Sequence, residues 1–201
     1  MKRVWATDQL ETDLRRAGRL IVAGADEVGR GAIAGPLVTA VVVLPEHWTE
    51  PVCDSKLLTY KMRAHLSDYI LRGADGYGIG IVAVEEIDRL GLSEALRLGF
   101  ERCLEDIDLP VSHILLDGNI DFLQDYRVTT TVIGGDRLSI NIAAASIVAK
   151  HFRDELMHEL ALVHPEYHFE QNVGYGTAAH LEALRQHGFS PQHRRSFQVK
   201  L

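Results

Sequence analysis

The chain has only two cysteines among its 201 residues, Cys53 and Cys103, far apart and in no CxxC pair. That excludes a disulfide framework or a zinc knuckle and fits a reducing compartment. Long apolar runs are also missing, since none reaches the ~18 residues a membrane helix needs. The opening stretch, MKRVWATDQLETDLRRAG, is charged throughout and has no apolar segment or cleavage-like site. It predicts a polar amphipathic helix rather than a secretory signal, and a cytoplasmic protein without membrane attachment. Excess positive charge is lacking too: Lys and Arg number 21 against 28 Asp and Glu, for a net charge of -7. A nucleic-acid footprint is usually basic, so this balance counts against a general nucleic-acid binder, unless clustered acids serve a metal site. The ten histidines include no HExxH, and Gly24, Gly29 and Gly31 do not space as GxGxxG. Zincin chemistry and a dinucleotide fold are therefore poor fits.

What is present is an ordinary globular composition, 46% hydrophobic and 24% charged, enough to fill one domain core. Apolar runs predict strands at 20–25 (LIVAGA), 36–44 (PLVTAVVVL) and 113–117 (HILLD), alternation predicts one at 76–84, and 128–133 (VTTTVI) reads as another. The short connection through Gly35-Pro36 suggests that the first two form a hairpin. Helices are expected at 59–72 with Thr59 as N-cap, and from Ser93 to about Ile107. Two more are expected at 142–164 and after Thr177, the last ending at Gly188. The third begins IAAASIVAK, and its small residues let it lie close against a sheet. A hairpin followed by alternating strands and helices predicts an α/β fold with mixed strand directions. The expected division is an N-terminal polar helical extension over 1–18, a core over 19–160 and a C-terminal helical extension over 161–201.

Four acidic residues stand where a strand is expected to end or a helix to begin: Asp26, Glu27, Asp117 and Asp136. Such edges of an α/β sheet are where sites are built. Carboxylates converging there repel one another unless cations sit between them, and Mg²⁺ favours oxygen ligands together with substrate phosphate. Adjacent strand residues face opposite sides, so Asp26 and Glu27 share a site only if the strand twists or bulges there. Each acid alone also fits a turn or helix cap, as does Asp54-Ser55-Lys56. The set in order carries the reading.

That set, with its surroundings, resembles bacterial ribonuclease HII from about Leu20 to Phe197. The shared motifs are AGADEVGRGAIAGPLV, DSKLLT, LLDGN, GGD, IAAASIVAK, GYGT and HRRSF. The resemblance implies a ribonuclease H-like mixed β-sheet flanked by helices, with a small C-terminal helical extension that contacts substrate. It implies an acidic quartet, Asp26, Glu27, Asp117 and Asp136, binding Mg²⁺ or Mn²⁺ as a two-ion site. It implies hydrolysis of the RNA strand of RNA–DNA hybrids, and a cut 5′ of a single ribonucleotide in duplex DNA that leaves a 3′-hydroxyl and a 5′-phosphate. The backbone of Gly29, Arg30 and Gly31 would read the 2′-hydroxyl, and Tyr175 would pack on the next sugar. Lys56 and Lys150, and then Arg194 and Arg195, are candidate phosphate contacts. His164 and His168 could add charge below neutral pH. Asp136 separates the chain from the HIII type, which has glutamate there and a large N-terminal extension.

The match departs at two places. Gln171-Asn172-Val173 precedes GYGT where the family usually has a basic pair, and Leu57 follows DSK where lysine is common. Both remove positive charge, so a weaker and more salt-sensitive grip on nucleic acid is expected. A monomer acting on RNA–DNA hybrid and ribonucleotide-containing duplex is the expected state. The alternatives are a metal-dependent nuclease indifferent to ribose, and a binding module of the same fold with weak or lost catalysis.

Overall fold

The computed structural model describes residues 4–124 and 128–200. In chain order the elements are α1 (Gln9–Arg16), β1 (Val22–Val28), β2 (Leu37–Val43), α2 (Tyr60–Gly73) and β3 (Gly76–Val82). There follow α3 (Val84–Leu90), α4 (Leu92–Glu105), β4 (His113–Asp117) and β5 (Thr129–Val132). The chain closes with α5 (Ile140–Val163), α6 (Phe169–Asn172) and α7 (Ala178–His187).

The five strands form one sheet in the order β3-β2-β1-β4-β5. β1, β2 and β3 pair antiparallel, while β1–β4 and β4–β5 are parallel. The sheet is therefore mixed, and the expected hairpin is present. All seven residues of β2 are buried, as expected of a strand covered on both faces. On one face, Ala143, Ala144, Ile147 and Val148 of α5 pack with Val38, Ala40 and Val42 of β2 and with Leu66 and Ile70 of α2. On the other face, Leu96, Phe100 and Cys103 of α4 pack against Ala23, Ala25, Val41 and Leu116. The small residues at the start of α5 set its close approach to the sheet, and the Ser139 hydroxyl accepts the Ile142 N–H as its cap.

Several boundaries differ from the expectations, each for a local reason. β1 does not stop at Ala25 but runs through Asp26 and Glu27, because β2 continues to pair with it, Asp26 opposite Ala40 and Glu27 opposite Thr39. Residues 83 and 84 leave the sheet to start α3, whose Glu86 carboxylate accepts the Ala83 N–H. The N-cap of α4 is Gly91, at φ 78°, rather than Ser93. Thr59 and Thr177 do cap α2 and α7, accepting the N–H groups of Met62 and His180.

The expected helix over 1–18 is described from Gln9 to Arg16; residues 1–3 lie outside the described residues. It is tied into the core. Leu10 and Leu14 pack against Val22, Leu115 and Ile142. The buried Glu11 carboxylate accepts bonds from the Ser139 hydroxyl and the Asn141 N–H at the start of α5. At the other end, residue 160 lies inside α5. Met157 and Ala161 of that helix pack with Tyr167, Phe169, Ala183, Leu184 and Ala34. This cluster seats the C-terminal helices on the loop that follows β1. Among the described residues, no helix is long and apolar enough to cross a membrane.

Candidate active site

The parallel strands β1 and β4 end on the same side of the sheet. Their register sets Ala25 opposite Leu116, so Asp26 and Asp117 follow on neighbouring strands. Asp117 in turn pairs with Val132, the last residue of β5. The chain then passes Gly134 into a single 3₁₀ turn, Gly135–Arg137, which carries Asp136. The Gly135 N–H donates to Asp117 Oδ1 at 2.7 Å, fixing this turn to the end of β4. Three strand ends thus bring the four acids to one edge.

Electrostatics link them. Burial pushes the Asp26 carboxyl well above the usual carboxylate range, and the charges of Glu27 and Asp117 push it further. Bonds from the Ser146 hydroxyl and the Glu27 N–H, the latter at 2.7 Å, pull the other way. Glu27 is also raised, first by burial; Arg30 opposes the shift and Asp117 adds to it. The Arg30 guanidinium stands 3.5 Å from Glu27 Oε1. Asp136 is raised by burial, then by Asp54 and Asp117, against the cations Lys56 and Arg137. The charge of Asp117 therefore acts on each of the other three.

Asp54 is a fifth carboxylate at this edge, and it is buried, as Asp26 and Asp136 are. Its Oδ1 accepts the Lys56 N–H at 3.0 Å, so it does cap the DSK turn, and its Oδ2 meets Arg137 at 3.3 Å. Ser55 then bonds Ser146 across 2.9 Å. Sequence reasoning did not single out Ser146, Arg137 or the proximity of Asp54 to Asp136. A serine within the otherwise apolar face of IAAASIVAK was the available signal.

The loop after β1 is shaped for close approach. Gly29 has φ +89°, and a Cβ there would collide with the Arg153 guanidinium. Gly31 faces open space where a Cβ would stand. Arg30 is half exposed and lies over the Phe122 ring at 5.8 Å. The Ile33 and Ala34 N–H groups both donate to the Gly174 carbonyl, at 2.8 and 3.1 Å. That zips the loop to the GYGT turn, where Tyr175 is 37% exposed. The Tyr175 ring lies 5.7 Å from the Arg153 guanidinium carbon.

The candidate phosphate contacts separate. Lys56 is exposed and close enough to affect Asp136. Lys150 is only partly exposed and donates to Asp154 at 2.5 Å. Arg195 is exposed, and its N–H donates to Asp88. Arg194 corrects the expectation of a surface cation: it is 0% exposed and its guanidinium donates to backbone carbonyls. His164 and His168 each stand near a glutamate of their own turn, Glu166 and Glu170. Of the departing residues, Asn172 is a builder of the turn: its side chain donates to the Tyr167 carbonyl and accepts the Gly174 N–H.

The donor set suits a hard divalent cation, since every candidate ligand is a carboxylate oxygen. Glu27 Oε2 is shut off from solvent and has no hydrogen-bond partner, which a cation would supply. Among the described residues no three or more His, Cys, Asp or Glu side chains form a ready-made cage. Mg²⁺ sites commonly use a few carboxylates and complete the shell with water and substrate phosphate, so the residues fit that kind of ion.

Residues 23–200 match the family model described as Ribonuclease HII. A ribonuclease HII of Parabacteroides distasonis is 44% identical over 178 residues, covering 88% of this chain and 89% of that protein. The crystal structure of ribonuclease H2 from Pyrococcus horikoshii OT3 superposes with a TM-score of 0.73 at 28% identity, over 89% of this chain and 94% of the other. Bst-RNase HIII, solved in complex with Mn²⁺, shares the fold at a TM-score of 0.64 and 20% identity, over 85% of this chain and 63% of the other.

Proposed function

The chain belongs to the ribonuclease HII family and is an endoribonuclease acting on RNA–DNA substrates, and from that premise we propose how its own residues carry out the reaction. Asp26, Glu27, Asp117 and Asp136 hold two divalent ions, Mg²⁺ or Mn²⁺. The presence of Mn²⁺ in the ribonuclease HIII complex supports divalent metal use. When bound, such ions activate water and offset the charge that builds on a phosphoryl group in an in-line displacement.

The chain's side of the reaction is placement. Asp117 anchors the cluster because Gly135 fixes its carboxylate and its charge reaches the other three acids. Glu27 and Arg30 form an ion pair that joins the acidic edge to the glycine loop. The backbone of Gly29, Arg30 and Gly31 reads the ribose 2′-hydroxyl, the one group that marks RNA within DNA. The open space at Gly31 lets a sugar come close. Tyr175 packs on the sugar that follows. Lys56 contacts phosphate beside Asp136, whereas Lys150 has to leave Asp154 to do so. The cut falls 5′ of the ribonucleotide and leaves a 3′-hydroxyl and a 5′-phosphate. This suits ribonucleotide excision and primer removal by a cytoplasmic monomer, with a catalytic domain over 19–160 and a substrate-contacting extension over 161–201.

One observation carries this assignment: a single electrostatic cluster of four carboxylates adjoins an open glycine backbone. Asp117→Asn tests it, because the change keeps size and hydrogen bonding but removes an anionic ligand. Cleavage of a labelled RNA–DNA hybrid should fall at least ~100-fold while the fold is kept. Near-normal turnover would make Asp117 a structural residue.

A further inference from the structure

Two arginines are completely buried beneath the loops just described. Arg153 comes from α5 and Arg194 from the C-terminal tail, and each is 0% exposed. Among the described residues, every hydrogen bond of the two guanidiniums ends on a backbone carbonyl. Arg153 donates to Pro36, Ala34 and Val173, at 2.9, 3.1 and 2.7 Å. Arg194 donates twice to Gly35, at 2.9 and 3.0 Å, and to Gly29 at 2.7 Å. A longer bond of 3.4 Å reaches the Arg30 carbonyl.

Burying two like charges side by side is costly when no carboxylate bonds them, and Asp154 and Asp88 act on Arg153 and Arg194 only through space. Burial, and then the charge of Arg153, lowers Arg194 to about 9. The fold accepts this cost, and the loops are built around the guanidiniums. A side chain at Gly29 would run into Arg153, and one at Gly174 into the Ala34 carbonyl that Arg153 holds. Val173, a β-branched residue at φ 41°, holds a strained left-handed conformation with its carbonyl on Arg153.

The direction of these bonds has a consequence. A trans peptide is planar, with its C=O and N–H pointing opposite ways. When Arg194 draws the Gly29 carbonyl inward, the Arg30 N–H of the same peptide turns outward. The weaker bond to the Arg30 carbonyl does the same for the Gly31 N–H. We propose that Arg153 and Arg194 are positioning residues: they lock the Gly29–Pro36 loop to the Val173–Tyr175 turn and aim the Arg30 and Gly31 amides at the substrate sugar. This rests on the function proposed above. It gives the two arginines a task that neither phosphate contact nor core filling supplies.

Arg194→Lys tests it, since lysine keeps a long basic side chain but loses the planar fork that grips two carbonyls. Steady-state cleavage of a duplex carrying one ribonucleotide is compared in wild type and variant, alongside thermal unfolding and calorimetric Mn²⁺ binding. The expected variant is folded and binds Mn²⁺ as wild type does. Its kcat falls roughly 10- to 100-fold while KM stays within about twofold, the mark of misplaced reacting groups. Wild-type kcat in the variant, or a loss that only follows the folded fraction, would overturn the proposal. Absence of cutting by the wild type would instead refute the proposed function, so the two failures are separable.

Should the lysine variant not fold, hydrogen exchange on the wild type decides. The amides of residues 32–35 and 174–175 should exchange as slowly as those of β1, although they lie in loops. Exchange at the rate of an exposed loop would mean that nothing locks them.

Discussion

Tyr175 shows what one residue is asked to do. Its ring is partly exposed, beside a buried arginine, on a turn bonded to the glycine loop. Among the described residues, the ring belongs to none of the buried apolar clusters. If it senses the sugar after the ribonucleotide, Tyr175→Ala should cut activity on a single-ribonucleotide duplex more than on a long RNA–DNA hybrid. A hybrid offers many registers in which the ions can act, and a single junction offers one. Parallel rate measurements on the two substrates check this, and equal losses would remove the junction-sensing role. At this scale the sequence was informative about chemistry and less so about burial. The four acids could be picked out because acidic residues next to glycine turns stand out against apolar runs. Arg194, a candidate phosphate contact by its motif, is instead fully buried. Arginine in a polar C-terminal motif looks solvent-exposed until the fold shows the carbonyls waiting for it.

Among the elements, the C-terminal unit is held by a directed chain of hydrogen bonds. His180 Nδ1 lies 3.0 Å from the Tyr175 carbonyl, which can only accept, so that nitrogen carries the proton. His180 Nε2 then accepts from His193 Nε2, also at 3.0 Å. His193 Nδ1 is left to accept from the Ser190 N–H and hydroxyl. Each ring is neutral in this arrangement. Burial and the neighbouring His180 push His193 down to about 4, and burial lowers His180 too. An unfolded histidine titrates near 6.5, so between about pH 6.5 and 4 the unfolded chain binds the extra proton. This pair therefore stabilises the fold fully above that window and loses its contribution as pH falls through it. Asp26, Glu27 and Asp136 are raised and act in the opposite sense, so the effect is best read as a difference. The stability advantage of wild type over His193→Gln in urea melts should shrink from pH 7 to pH 4.5, and a constant advantage would contradict the assignment. The elements themselves are largely legible, because β2 and most of β4 are buried apolar runs, β3 alternates, and Thr59 and Thr177 are strong caps. What was not legible was set by tertiary pairing. β1 extends through two carboxylates because β2 supplies partners, and α3 is too short for its periodicity to register.

For the molecule as a whole, the open question is how a chain of net charge -7 engages nucleic acid. The positive groups are few, but several stand at the acidic edge: Arg30, Lys56 and Arg137 are partly or fully exposed there, and Arg153 and Arg194 lie beneath the loops. Divalent ions at the proposed site would offset the acidic edge, so that net charge would understate the attraction substrate meets. Composition alone pointed away from nucleic acid, and only the motifs in order pointed toward it. Charge counts report the whole surface, whereas binding depends on where the charges lie.

The acidic cluster and the glycine loop are proposed to act together on one ribose. Two labelled DNA duplexes, identical except for a single ribonucleotide, test it most directly when incubated with the protein and Mg²⁺ or Mn²⁺. One cut is expected, immediately 5′ of the ribonucleotide, and none in the all-DNA duplex. Cutting of both duplexes, or of neither, would contradict it.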